Sequence, residues 1–208
     1  MNNENTLTRR MVETALLFAM AVLLSMVKLW PMPWGGSVTL CSMLPIILIS
    51  YRYGVKWGFF SSFVYALLQM VLDLSSLRAI SGITLVGSLL FDYILGFGIL
   101  GIGGLFRNRI KNAGVSLSLG CVVAIFGRYL CSFASGFLLW GSYAEDTLKG
   151  FNDGFAALVL DNFSGWGLSA VYSLLYNGAY LLPELILTII IALIIAKVPV
   201  IGTRYQTK

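Results

Sequence analysis

Asp92 lies inside the apolar run LLFDYILGF (residues 89–97), with Tyr93 beside it. A carboxylate at the centre of a membrane costs roughly 2.5–3.5 kcal/mol on insertion scales, so its presence points to a partner or a ligand. Polar and aromatic residues in other apolar runs narrow the chemistry: Tyr65 and Gln69, then Arg128, Ser132 and Trp140, then Tyr172, Asn177 and Glu184. A fixed negative charge among aromatic faces suits a flat organic cation, through stacking and cation–π attraction. Asn177 and Gln69 add directional donors and acceptors for a heteroaromatic ring edge. Trp34, just after the first apolar run, offers a further π face. Two structural readings stand beside this one. Asp92 can be half of a buried ion pair with Arg128, and single Trp or Tyr residues can belong to the membrane-interface belt, where Trp30, Trp57 and Trp166 are placed. Glu184 follows Pro183, which can kink a helix and free a carbonyl; ligand contact and bracing of the kink both remain open for it.

The same inventory argues against catalysis. Histidine is absent, which removes the commonest general base and metal ligand. Cys41, Cys121 and Cys131 all fall in apolar segments without metal or redox spacing, and read as small buried residues. There is no H-E-x-x-H motif, and Ser132 beside Arg128 has no base to make it a nucleophile.

The elements that carry these residues are set by composition. Of 208 residues, 58% are hydrophobic and 11% charged, and the mean hydropathy is +0.86. A soluble domain is about a quarter charged, so the expectation is an all-α integral membrane protein forming a single transmembrane domain. Apolar runs predict six spans near 11–30, 38–51, 55–73, 83–105, 115–141 and 166–196, the second of them short. The first run follows Arg9 and Arg10, has no small-x-small cleavage site after it, and is read as a retained span. Pro31, Pro33 and Gly35-Gly36, then Tyr53-Gly54, mark the first two joints.

With both termini inside, ten of the fourteen Lys and Arg residues fall on the cytoplasmic side, among them Arg9, Arg10, Arg52, Lys56, Arg107 and Arg109. The net charge of +5 thus reports topology and gives no case for nucleic acid. Asp73, Glu145, Asp146, Asp153 and Asp161 fall outside, an acidic mouth that either concentrates cations or is simply a solvated loop. At ~1.5 Å per helical residue, the polar groups of the third to sixth spans reach similar depths in the outer half of the bilayer. Such groups face a bundle interior or a wet cavity, so the set reads as one pocket open to the outside. In the first span, Ala15 and Ala19 form a small-xxx-small pair that permits close approach of another helix.

Several stretches together resemble the thiamine-specific substrate-binding subunits (S components) of energy-coupling factor (ECF) transporters. They are ETALLFA (13–19), GGSVTL and MLPI (35–46), YRYG (51–54), ALLQ (66–69), FDYILGF with GIGGLF, GRYLCSFASGFLLWGSYA (127–144) and YSLLYNGAYLLPE (172–184), in order over nearly the whole chain. The resemblance implies a six-helix fold with both termini cytoplasmic in the cell membrane, a high-affinity outward thiamine site, and no cofactor beyond that ligand. It also implies separate partners: a transmembrane coupling subunit and two cytoplasmic ATPase subunits, with Ala15 and Ala19 in the docking surface. Carried onto this sequence, the site falls on Asp92, Tyr93, Arg128, Trp140, Tyr172 and Asn177, with Tyr65 at an aromatic position and Trp34 in a capping loop. The family has glutamate or aspartate where Asp92 stands. A histidine commonly occupies the position of Ser132, and serine can hydrogen-bond there but cannot stack. That departure keeps a thiamine precursor or another flat cationic heterocycle as an alternative ligand. A self-contained carrier is the alternative mechanism.

Overall fold

The computed structural model describes residues 3–32, 36–78, 80–151 and 154–198. It is mostly helical. Helix α1 runs from Asn3 to Met26, starting earlier and stopping sooner than the 11–30 read from hydropathy. Lys28–Pro31 (β1) leaves the helix and pairs antiparallel with Ser37–Thr39 (β2), aligning Trp30 with Val38. Pro31 stands at the end of β1, a position an edge strand tolerates.

The second expected span is only partly helical. Over residues 38–51, β2 is followed by a turn in which Cys41 takes φ 57°, and then by α2, Leu44–Tyr53, whose end lies back beside Arg10 and Glu13 of α1. Ten residues reach only ~15 Å, half a bilayer core. All ten are buried, with Ile46, Ile47, Ile49 and Tyr51 at 1% exposure or less. A helix that is apolar all round belongs in a protein interior as readily as in lipid, and LPIILISY is wrapped by its neighbours.

Helix α3 (Val55–Leu72) leads through the short α4 (Leu74–Arg78) to a composite helix α5, Gly82–Gly104. Next come α6 (Ala113–Leu139), the short pair α7 (Ala144–Phe151) and α8 (Gly154–Asn162), and α9 (Gly165–Ile195). Among the described residues, α3, α5, α6 and α9 are long and apolar enough to cross a membrane. Asn112 caps α6, accepting the Val115 N–H at 3.1 Å through its side-chain oxygen. Helices α7 and α8 occupy the joint between the last two spans, where Ala144, Leu148, Ala156 and Val159 pack on Leu168 and Tyr172 of α9.

Two features set the site's geometry. Helix α5 is α-helical over Gly82–Ser88, a π-helix over Leu89–Leu95, and a 3₁₀-helix over Ile99–Gly104. Asp92 and Tyr93 therefore sit on the π segment, a rare geometry that recurs at functional sites. Helix α6 meets the glycine-rich end of α5 so closely that a Cβ at Gly120 would overlap the Gly103 carbonyl.

Candidate functional site

Arg128, Ser132 and Ser135 stand at i, i+4 and i+7 on α6, one face of the helix. That face joins the two halves of the cluster. Towards α5, Ser135 Oγ donates to Asp92 Oδ2 at 2.7 Å. Towards α9, Asn177 Nδ2 donates to the Ser132 carbonyl at 3.2 Å, and Ser173 Oγ to the Phe133 carbonyl at 2.8 Å. Gly136 makes this approach possible, since a Cβ there would run into Ser173 Oγ and lie 3.2 Å from Asn177 Nδ2.

The Arg128 guanidinium lies over the Phe97 ring, 3.7 Å from its centroid. Its Nε and Nη1 are buried and find no hydrogen-bond acceptor among the described residues. Buried donors of this kind are uncommon and mark a place for an acceptor. Phe97 continues the aromatic wall, edge-on to Tyr65 at 5.5 Å and 6.2 Å from Tyr93. Tyr65, 1% exposed, accepts a hydrogen bond from Gln69.

The alternative pairing of Asp92 with Arg128 is not what the structure shows. Among the described residues, ion pairs join Arg9 and Arg52 to Glu13 and Lys149 to Glu145; Asp92 is held by a neutral hydroxyl. Tyr93 turns outward, its hydroxyl 3.4 Å from Asp73 Oδ2. Trp140 ends α6, with its ring 5.9 Å from Tyr143, and Tyr172 lies beneath the α7–α8 cap, 5.6 Å from Tyr176. At the outer surface the Lys149 ammonium hydrogen-bonds Glu145 and, with its charge, holds that carboxyl below its ordinary value. Trp34 lies outside the described residues.

Glu184 holds the β1–β2 hairpin, a role that neither reading of the sequence named. It is 2% exposed, and its Oε2 accepts the Thr39 N–H at 2.7 Å while Oε1 accepts the Thr39 and Ser42 hydroxyls. One turn earlier, Tyr180 packs against Gly36, where a Cβ would come within 2.9 Å of the ring, and its hydroxyl donates to Asn177 Oδ1 at 2.9 Å. The β1–β2 hairpin is thereby anchored to α9 beside the cluster. Ser135, Ser173 and Phe97 were not among the residues singled out by sequence. The spacing of Ser173, Asn177, Tyr180, Glu184 and Thr188 along one face of α9 carries the signal that finds Ser173.

The cluster is packed by its own side chains: Asn177, Ser132, Gln69 and Tyr172 are each 8% exposed or less. Two clefts of about 500 Å³ open elsewhere, one apolar between Phe59, Phe63 and Ile94, one lined by Arg10, Lys56 and Arg107. Among the described residues no group of three or more His, Cys, Asp or Glu side chains could hold a metal. Ala15 and Ala19 lie on the exposed face of α1, beside exposed Met11, Leu16 and Leu23.

Known proteins are similar to this chain in sequence and, for one solved structure, in fold. The solved structure of ThiT from Listeria monocytogenes matches with a TM-score of 0.70 at 24% identity, covering 95% of this chain and 99% of that one. The thiamine transporter ThiT of Bacillus subtilis is 33% identical over 201 residues, 91% of each chain. The thiamine transporter ThiT of Lacticaseibacillus paracasei is 26% identical over 194 residues, 86% of this chain and 83% of that one. These relatives are named for transport rather than catalysis. The family model described as thiamine transporter protein (Thia_YuaJ) matches residues 11–152. With that match over more than half its length, the chain belongs to the thiamine transporter protein family.

Proposed function

We propose that this protein is the membrane-embedded, high-affinity thiamine-binding subunit of an ECF-type vitamin importer. The observation that carries the reading is Asp92: a half-buried carboxylate on a π-helical segment, held by Ser135 and in no ion pair among the described residues. A thiazolium is the cation that would complete it, with Phe97, Tyr65, Trp140 and Tyr172 supplying aromatic faces. Arg128 offers donors to a ring nitrogen, and Asn177 holds the α6–α9 seam against which the aminopyrimidine would lie. Trp34, Tyr93, Ser132 and Gln69 complete the assigned set. Because the cluster is closed by its own side chains, entry requires the β1–β2 hairpin or the α7–α8 cap to move. Capture occurs outside the cell, with both termini in the cytoplasm.

ATP hydrolysis belongs to two separate cytoplasmic subunits, joined through a transmembrane coupling subunit that docks on Ala15 and Ala19. Their small exposed side chains leave α1 open to another helix. Mass spectrometry of the purified protein tests the ligand: thiamine is expected to co-purify, and an excess of its pyrimidine moiety should not displace it. Displacement at equal concentration would favour a precursor, the ligand that serine in place of histidine at 132 leaves open. Uptake into vesicles lacking ATPase subunits would instead identify a self-contained carrier.

A further inference from the structure

At the opposite end of α5 from Gly82, a cleft of about 500 Å³ is bounded by Arg10, Tyr53, Lys56, Arg107 and Arg109, with no acid in its lining among the described residues. We infer that this cleft is a binding site for a phosphate-bearing anion, the headgroup of an anionic phospholipid. The inference is independent of thiamine and needs only that the protein lie in a membrane.

The floor is built rather than incidental. Arg107 is 6% exposed and lies against Gly54, whose φ of +93° brings the backbone in so far that a Cβ would come 2.7 Å from Nη1. Arg10 is fixed as a wall, its guanidinium 4.0 Å from the Trp57 ring centroid and 5.5 Å from that of Tyr53. Its Nε is buried and without a hydrogen-bond acceptor among the described residues. The acid beside this cleft, Glu13, is already engaged by Arg9, Arg52 and Tyr53. Lys56 and Arg109 are exposed at the rim.

Phosphate suits converging guanidinium groups because its oxygens accept several charge-assisted hydrogen bonds at once. A lipid is favoured over a soluble ester by position. The cleft lies where α1, α3 and α5 carry their basic ends, at headgroup level, and basic pockets between helices there recognise anionic headgroups. Leu105, 40% exposed at its lip, gives an acyl chain an apolar surface to follow.

The test is native mass spectrometry on the full chain, with phosphatidylglycerol and phosphatidylcholine of identical acyl chains supplied equally. Phosphatidylglycerol should be retained preferentially. The Lys56→Gln/Arg109→Gln double variant, altered only at exposed rim residues, should lose about fivefold of that preference per charge removed. The Lys111→Gln/Lys197→Gln variant loses the same charge outside the cleft and should keep the preference. Equal retention of the two lipids, or equal losses in both double variants, would overturn the site. Millimolar inorganic phosphate separates the sources: surviving lipid adducts support a headgroup, and their displacement supports a soluble phosphate on the same cations.

Discussion

Ser135 Oγ donates to Asp92 Oδ2 at 2.7 Å, a hydroxyl of α6 holding a carboxylate of α5. The bond aims the carboxylate without neutralising it, which an arginine in the same place would do. Hydrogen bonds to charged groups contribute about 2 kcal/mol. Ser135→Ala should therefore weaken thiamine binding by about thirtyfold in calorimetry. Unaltered affinity would show that Asp92 needs no such support.

Glu184 should behave as a clamp on the hairpin. Glu184→Gln cannot accept the Thr39 N–H and both hydroxyls in the same way, and a buried donor left unmatched costs about 1–3 kcal/mol. Hydrogen exchange over residues 36–42 should accelerate, and thiamine should dissociate faster. Unchanged protection of Thr39 would separate Glu184 from the hairpin.

Asn177 joins the seam and the site, so its loss should register twice. Asn177→Leu is expected both to lower the melting temperature and to weaken binding. Tyr180→Phe, which removes only the hydroxyl that donates to Asn177 Oδ1, should cost about 1 kcal/mol of stability. If both variants melt like the parent, the α6–α9 seam does not depend on these bonds.

Backbone proximity gives a contrast that needs no ligand. Gly120→Ala would force α6 away from the Gly103 carbonyl, a misfit that costs about 1–3 kcal/mol or more. Gly178→Ala has room, its nearest contact 3.7 Å away, and removes a helix glycine worth up to about 1 kcal/mol. Thermal melts should therefore move in opposite directions, and parallel shifts would contradict the packing of α5 on α6.

The four long apolar helices were legible in the sequence to within a few residues, because hydropathy and length decide together. Residues 38–51 are helical only from Leu44 onward, because hydropathy marks an apolar run without telling a strand and turn from a helix. AEDTLKGF and GFAALVLDN became helices α7 and α8 without being anticipated, since amphipathic surface helices carry no long apolar run. Within the site, Asp92, Arg128 and Asn177 stood out because charge and amide are costly in apolar runs. Ser135 and Ser173 did not, because a serine in a membrane helix can satisfy itself locally. The π geometry around Asp92 had no sequence signature at all.

The most direct measurement is a tryptophan-fluorescence titration of thiamine against the parent protein and Asp92→Asn, with melting temperature as the control for folding. The amide keeps the shape and the Ser135 contact but removes the charge. A folded variant with thiamine affinity lowered by a hundredfold or more, about 2.7 kcal/mol, is the expected result. A folded variant that binds thiamine as tightly as the parent would contradict Asp92 as the counter-ion of the thiazolium.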